Sequence, residues 1–338
     1  MNFINFIITK QIKISKFVNA KNGFTLIELV VGLTIAFIII TSLLGLMINV
    51  MEKDKKEQAK ATSEQEIQAA LDYIARDLKQ AVYIYDANGI DAIKNQLPSA
   101  PRGINRVPVL VFWQRELIKD VLHISGSSSK NDTFVYSLVV YYLIQDNTRS
   151  ASNWSKTARI GKWKIRDGVL ANNTDINNTR ECTGYPGKYV KGSSSNPDEF
   201  CPSNGFAPFE LNQPGTLEAI MNSWKKGDDA YTANTLVLVD YIDQTITNAP
   251  PATCPPNSTN PNITWSKVTS QTFNDTNTGE MTSFYACVDR LNTTAQIFIR
   301  GNALARLNNN SNINYSANKM TFFPTATIKI QGKGLLYK

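Results

Sequence analysis

The feature that most constrains this chain is a long apolar run near its amino terminus, preceded by a single acid. No charged residue occurs from Leu29 to Met51. A helix of that length reaches roughly 34 Å, enough to cross a bilayer. Glu28 stands directly before the run, and a carboxylate in hydrocarbon costs on the order of 2.5–3.5 kcal/mol at the bilayer centre. The run therefore predicts a membrane-spanning helix, in which Glu28 is expected to have a polar partner or a specific function.

Basic residues are concentrated before this run. The chain has 338 residues and a formal net charge of +7. Positive charge is retained on the cytoplasmic side, so the residues after the span are predicted to lie outside the cytoplasm. Without the basic leader the formal charge is about +3, and no Lys/Arg patch interleaved with aromatics follows, so nucleic acid is not an expected partner. Four lysines precede Phe24: Lys10, Lys13, Lys16 and Lys21.

Two simpler interpretations of the amino terminus stay open. A cleaved secretory signal has an apolar run of about 7–15 residues followed by a small-x-small site. The run in this chain is longer, and no such site follows it. A plain single-pass anchor accounts for the run but gives no reason for Gly23 or Glu28.

The residues around Glu28 resemble the type IV prepilin signal. A basic leader ends in Gly23, and Phe24-Thr25-Leu26-Ile27-Glu28-Leu29 leads into the apolar run. This pattern is similar to the signal shared by type IV pilins and the pseudopilins of type II secretion. The resemblance implies that a prepilin peptidase cuts between Gly23 and Phe24 and that the new amino terminus is methylated. It also implies that Glu28 pairs with the terminal amine of a neighbouring subunit during assembly.

Such a pairing has a physical basis of its own. A cut before Phe24 places an ammonium and the Glu28 carboxylate four residues apart on one helical face, in a medium of low dielectric. Each charge lowers the cost of burying the other. Between subunits, the same attraction favours the stagger that brings one helix's amine to the next helix's acid, which fixes axial register.

Downstream of the span, residues 52–86 are predicted to continue the helix. The segment lacks Gly and Pro and is rich in Ala, Glu, Gln and Lys, which are good helix formers. Acids and bases are mixed on its polar side, and this mixture argues against a helix that lies on a membrane surface. One apolar stripe runs along it: Ile67, Leu71, Ile74, Leu78, Val82 and Tyr85. The predicted layout is a leader (1–23), a span (24–51), this amphipathic helix and an exported head (87–338).

The sequence of the head predicts a β-rich fold. No helix-length segments alternate with the strand candidates, so an α+β fold is predicted, with an antiparallel sheet packed against the long helix. Pro, Gly, Asn and Ser accumulate at about 172–233 and again at 248–262, which predicts two long surface excursions, the first of them a candidate sub-domain. The seven strand candidates are 107–113, 133–144, 158–170, 235–242, 283–291, 295–301 and 320–332.

All four cysteines fall in the half that is predicted to be exported, where disulfides are permitted. Three connectivities are possible. Pairing of near neighbours, Cys182 with Cys201 and Cys254 with Cys287, is favoured because each bond would pin a Pro-rich loop. Zinc is the alternative, although the spacing contains no C-x-x-C element. Calcium binding by an Asp/Asn-rich loop also stays open, and otherwise no cofactor or metal is expected.

Residues for catalysis are scarce, and the chain is not expected to be an enzyme. His123 is the only histidine, and it lies between aliphatic residues. The acid pairs Asp228-Asp229 and Asp240/Asp243 are of a kind that is usually solvated or turn-forming. No G-x-S-x-G, P-loop or G-x-G-x-x-G pattern occurs. An exported enzyme acting on polysaccharide is a remaining alternative, which would need an acid pair in a cleft.

Finer likenesses point to one branch of the pilin superfamily. Residues 72–81 are similar to the large minor pseudopilins of the J/W type, and 60–90, 107–113 and 297–307 resemble the hormogonium polysaccharide secretion pseudopilin of filamentous cyanobacteria. The resemblance implies an inner-membrane subunit that joins a filament supporting polysaccharide export and gliding motility. Its implied partners are the prepilin peptidase, other pilins and the inner-membrane assembly platform. An adhesive or DNA-uptake minor pilin is the alternative.

Overall fold

A computed structural model gives the architecture of the chain. It describes residues 23–101, 104–146, 154–172, 179–182, 185–259, 261–270, 280–308, 313–334 and 336. The predicted leader, up to residue 22, and its four lysines lie outside the described residues. Two compact units are separated after Asp54. The first helix, α1 (Leu26–Leu78), is continuous through that position.

The second half of α1 packs through one apolar face. Ile67, Leu71, Ile74 and Leu78 are all buried, at the three- and four-residue spacing that puts side chains on one side of a helix. The stripe is therefore confirmed as far as Leu78. Gly301 lets the helix approach closely, since a Cβ there would lie 2.6 Å from Cδ1 of Ile67.

The helix ends earlier than the sequence predicts. α1 stops at Leu78, and Ala81–Ile84 forms the first strand, β1, so the prediction of a helix to residue 86 is wrong. From Ala81 to Tyr85 every residue is buried. A helix with one packed face does not bury five successive side chains, whereas a short interior strand of Val, Tyr and Ile does. Val82 and Tyr85 therefore belong to the sheet region.

Thirteen strands and four α-helices occur among the described residues. The strands are β1 (Ala81–Ile84), β2 (Ile104–His123), β3 (Lys130–Asp146), β4 (Ala158–Arg166), β5 (Thr179–Cys182), β6 (Tyr185–Val190), β7 (Leu236–Ile242), β8 (Ser258–Thr259), β9 (Asn262–Ile263), β10 (Ser266–Ser270), β11 (Met281–Asp289), β12 (Thr294–Arg300) and β13 (Thr325–Gln331). After α1 come α2 (Ala87–Ile93), α3 (Leu217–Asn222) and α4 (Ala303–Asn308), with short 3-10 helices at Lys94–Gln96 and Ala317–Phe322.

Two antiparallel sheets form the centre of the head. One has the order β1-β2-β3-β4-β7 and the other the order β10-β11-β12-β13. All seven predicted strands are present, and the α+β class is confirmed. The last prediction begins too early, because 320–322 lie in a 3-10 helix and Pro324, which has no N–H to donate, precedes β13.

The region predicted as a candidate sub-domain is part of the main fold. Phe206, Met221 and Trp224 are buried in the same core cluster as the helix stripe and both sheets. The hydroxyl of Tyr85 donates to the carbonyl of Met221 (3.0 Å) and accepts from Nε1 of Trp113 (3.1 Å). This part of the excursion therefore packs into the main core, while Val190 and Phe200 join a smaller cluster with Val121 and Val135 of the first sheet.

Both disulfides join near neighbours in sequence. Cys182 is bonded to Cys201 and Cys254 to Cys287, with Cα–Cα distances of 5.7 and 5.6 Å. This is the pairing that the sequence favours, and it leaves none of the four cysteines free for zinc. Cys287 lies in β11 and is fully buried, so its bond attaches the Pro-rich loop around Cys254 to the second sheet.

Removal of the second disulfide is expected to destabilise the head measurably. A Cys254→Ser/Cys287→Ser double variant frees a loop of 33 residues in sequence separation, and closure of such a loop is worth about 3.7 kcal/mol in the chain-entropy view. Urea unfolding, followed by tryptophan fluorescence of the full chain in detergent, would measure the loss. An unfolding midpoint equal to that of the wild type would contradict a stabilising role for this bond.

Candidate processing and assembly site

The described chain opens with a short exposed segment before α1. Gly23, Phe24 and Thr25 are not helical, and the Phe24 side chain is 84% exposed. No described residue lies within 4 Å of the position that a Cβ on Gly23 would take. Packing within the described chain therefore does not require a glycine here. An exposed, non-helical peptide bond is the kind of substrate that a peptidase needs.

Thr25 and Glu28 form a reciprocal cap at the start of α1. The Glu28 carboxylate accepts from the backbone N–H of Thr25 (3.4 Å) and from its hydroxyl (3.2 Å). In return, the Thr25 hydroxyl accepts from the backbone N–H of Glu28 (3.4 Å). This is the capping-box arrangement, with Thr at the N-cap and Glu three residues later. A carboxylate at a helix start also interacts favourably with the helix dipole.

The capping contact is a role for Glu28 that the sequence predictions overlooked. Its signal is present in the chain, since T-x-x-E before an apolar run marks a helix start. The cap uses the acid within one chain, whereas the resemblance assigns it to a contact between chains. Thr25 is therefore an additional candidate functional residue.

The first half of α1 is apolar on all sides. Large apolar side chains from Leu26 to Met51 are roughly half or more exposed, and no residue in this stretch is buried. Within the described residues, α1 is the one helix long and apolar enough to span a membrane. A helix apolar all round requires lipid or other helices around it.

Three hydroxyl groups inside this stretch are satisfied by the helix itself. The hydroxyls of Thr34, Thr41 and Ser42 donate to the carbonyls of Val31, Phe37 and Ile39, at 2.7–2.8 Å. Such internal bonds suit an environment without water. The helix is unbroken at Gly32 and Gly45, although glycine inside a helix is less favourable than alanine.

The carboxyl-terminal end of α1 is fixed to the first sheet by charge. The Asp77 carboxylate lies 2.5 Å from Nζ of Lys162 on β4 and accepts from the hydroxyl of Tyr141 on β3 (2.6 Å). Burial, together with the Asp77 charge, raises the pKa of Tyr141 above its usual value, so this hydroxyl remains a donor. The last turn of the helix is thus anchored at two adjacent strands.

The acids and the histidine considered for catalysis are not brought together. Asp228 and Asp229 are exposed, and His123 ends β2. Asp240 accepts from the backbone N–H and hydroxyl of Ser155. Within the residues that the structure describes, no group of three or more His, Cys, Asp or Glu is placed to hold a metal ion.

Asp243 is turn-forming as predicted, because its Oδ1 accepts from the backbone N–H of Thr245 (3.1 Å), but it is not solvated. It is fully buried, and its Oδ2 accepts from Nε of Arg300 on β12 (2.8 Å). Oδ1 accepts from the hydroxyl of Thr245 (2.6 Å), and Arg300 also donates to the hydroxyl of Thr282 (3.1 Å). Because Asp243 directly follows β7, this ion pair joins the two sheets. It is a structural element, which the acid's position between Ile242 and Gln244 did not reveal.

Comparison with known proteins adds a family signal to this geometry. The family described as the prokaryotic N-terminal methylation motif matches residues 18–44. The matched segment contains Gly23, Phe24 and Glu28 and the first part of α1. No curated protein and no solved structure matches the chain. The amino-terminal segment of this chain therefore carries the prepilin-type methylation motif of type IV pilin-like proteins.

Proposed function

We propose that this protein is a non-catalytic pilin-like or pseudopilin-like subunit that assembles through the first half of α1 into a filament. The observation that carries the proposal is the methylation motif at residues 18–44, placed on an exposed helix start and followed by an all-round apolar helix. Such a helix serves as a membrane anchor before assembly. In a filament, helices of other subunits take the place of lipid.

Processing begins with cleavage between Gly23 and Phe24. A prepilin peptidase hydrolyses this peptide bond on the cytoplasmic side and releases the basic leader, and the free amine of Phe24 is then methylated. The head lies on the exported side, consistent with its two disulfides. Methylation leaves the amine able to carry a positive charge.

Glu28 then changes its partner. In the uncut chain its carboxylate is bonded to Thr25. The ammonium that cleavage creates on a neighbouring copy is a stronger partner, because a charged pair in a low dielectric gains more than a neutral hydrogen bond. Removal of the leader thereby supplies the group that draws one subunit's helix to the next.

The finer assignment is a large minor pseudopilin of a system for polysaccharide export and gliding motility. It rests on the likeness of residues 60–90, 107–113 and 297–307 to the hormogonium polysaccharide secretion pseudopilin. The head size, with two main sheets and a long excursion that packs into the core, suits a minor subunit at or near a filament end. Other pilins and the inner-membrane assembly platform are its proposed partners.

Substitution of Gly23 tests the processing step. A Gly23→Val variant is expected to accumulate as the uncut precursor, at least about tenfold above the wild type, because the added side chain obstructs the peptidase at the cut. Gly32→Val is the matched control, since a Cβ at Gly32 also meets nothing within 4 Å. Immunoblotting of cells with an active prepilin peptidase would separate precursor from mature chain. Equal processing of both variants would contradict cleavage at Gly23.

A further inference from the structure

A cavity lies in the head between α2, the chain that follows it, β2 and β10. Its volume is about 550 Å³, within the range typical of small-molecule sites. Much of the wall is apolar: Ile90, Leu97, Val107, Pro108 and Val268. None of these residues belongs to the segment proposed to drive assembly. The cavity is therefore a feature that the proposed function leaves unexplained.

Arg106 of β2 lines this cavity and is held in place. One Nη donates to the hydroxyl of Thr235 (2.8 Å), and the other donates to the carbonyls of Pro98 (2.8 Å) and Ser99 (2.5 Å). The guanidinium also lies over the ring of Tyr142, 4.9 Å from its centroid. A cation fixed by neutral groups and an aromatic face is preorganised to meet an anion.

The charge of Arg106 has no carboxylate partner among the described residues. The two lysines on the cavity wall, in contrast, each have a carboxylate partner. Lys94 is paired with Asp91 (2.7 Å) and Lys267 with Glu280 (3.7 Å). All of the groups that accept from Arg106 are neutral, and they leave its positive charge uncompensated.

Arg106 and Tyr142 are also incompletely hydrogen-bonded. Nε of Arg106 and the hydroxyl of Tyr142 are buried and have no hydrogen-bond partner among the residues that the structure describes. Buried polar atoms are nearly always paired in native proteins, so two such atoms on adjacent cavity-lining side chains call for an explanation. An anion beside the guanidinium would compensate its charge, and a small turn of the side chain would give Nε an acceptor.

We propose that this cavity binds a small organic carboxylate with an apolar body. The carboxylate lies against the guanidinium of Arg106, and the body lies against the apolar wall. Arg106 provides the selectivity for charge, and Tyr142 is a positioning residue that supports the guanidinium. This binding goes beyond filament assembly and does not depend on cleavage at Gly23.

Carboxylate selectivity of the full chain in detergent micelles is the test. The probes are benzoate, phenylacetate and 3-phenylpropionate, each compared with its amide by ligand-observed NMR titration. At least one carboxylate is expected to bind at least about tenfold tighter than its amide, the factor typical of a hydrogen bond to a charged group. Equal binding of acids and amides across the panel, or no binding by any of them, would overturn the proposal.

Variants of Arg106 identify the group responsible. Arg106→Gln is expected to weaken carboxylate binding at least about tenfold and to leave amide binding unchanged, whereas Arg106→Lys retains part of the selectivity because it retains the charge. Lys94→Gln is the matched control on the same wall, with less than about a twofold effect expected because Lys94 is paired and exposed. Circular dichroism checks that each variant is folded. A folded Arg106→Gln variant that still prefers the carboxylate to its amide as strongly as the wild type would refute the assignment. If this variant does not fold, the preference of the wild type for carboxylates over amides still tests the proposal.

Discussion

Filaments from cells carrying Glu28→Ala are expected to contain at least about tenfold less of this protein than wild-type filaments. The reason is the loss of one partner of a charge pair in an apolar environment, which costs about 3–5 kcal/mol. Cleavage after Gly23 is expected to proceed largely as in the wild type, because Glu28 lies beyond the cut bond. Quantitative immunoblotting of purified filaments and of whole cells measures both quantities in the same strain.

Two matched variants separate the charge of Glu28 from its capping contact. Glu28→Gln retains a side chain able to form a capping box but carries no charge. Thr25→Val removes the capping hydroxyl and leaves the acid. If pairing with an ammonium drives assembly, Glu28→Gln behaves like Glu28→Ala, and Thr25→Val stays near the wild type. The reverse pattern would show that the helix cap, and not the charge, is what assembly requires.

Loss of the buried ion pair between the sheets is expected to destabilise the head strongly. Asp243→Asn leaves Arg300, only 5% exposed, without a compensating charge. Breaking a buried pair by removing one partner costs about 3–5 kcal/mol, a large fraction of the 5–15 kcal/mol that stabilises a typical domain. Urea unfolding of the full chain in detergent, monitored by tryptophan fluorescence, gives the difference in the free energy of unfolding.

An exposed ion pair with nearly the same nitrogen–oxygen distance serves as the control. Asp91 and Lys94 are 2.7 Å apart, against 2.8 Å for Asp243 and Arg300, but both side chains are more than half exposed. Asp91→Asn is therefore expected to change stability little, as is typical of exposed pairs. Equal effects of Asp91→Asn and Asp243→Asn would show that the two sheets are not joined by the buried pair.

Local patterns in the sequence were sufficient for the long helix and for seven of the thirteen strands among the described residues. The stripe from Ile67 to Leu78 and the seven strand candidates follow from periodicity and strand-forming residues, which act over a few positions. The helix end was mistaken because Val82 and Tyr85 fit the stripe as well as they fit a strand. Pairing of β1 with Phe112 and Trp113 on β2 decides between the two, and that pairing is a tertiary interaction.

Long-range contacts account for the features that could not be predicted from the sequence. The burial of Phe206 and Trp224 depends on a core formed by distant strands, and loop-like composition conceals it. Asp243 and Arg300 are separated by 57 positions, and nothing near either residue predicts the other. Arg106 gives no sign of being fixed in a cavity until Thr235 is placed beside it. The motif at Gly23, Phe24 and Glu28, in contrast, is local and is visible in the sequence.

The amino terminus of the mature protein provides the most direct test of the central claim. Mass spectrometry of the chain isolated from cells with an active prepilin peptidase is predicted to find Phe24 as the first residue, carrying a methyl group on its amine. A chain that keeps its leader, or that begins at a different residue, would contradict processing as a pilin-like subunit and with it the proposed pairing of Glu28.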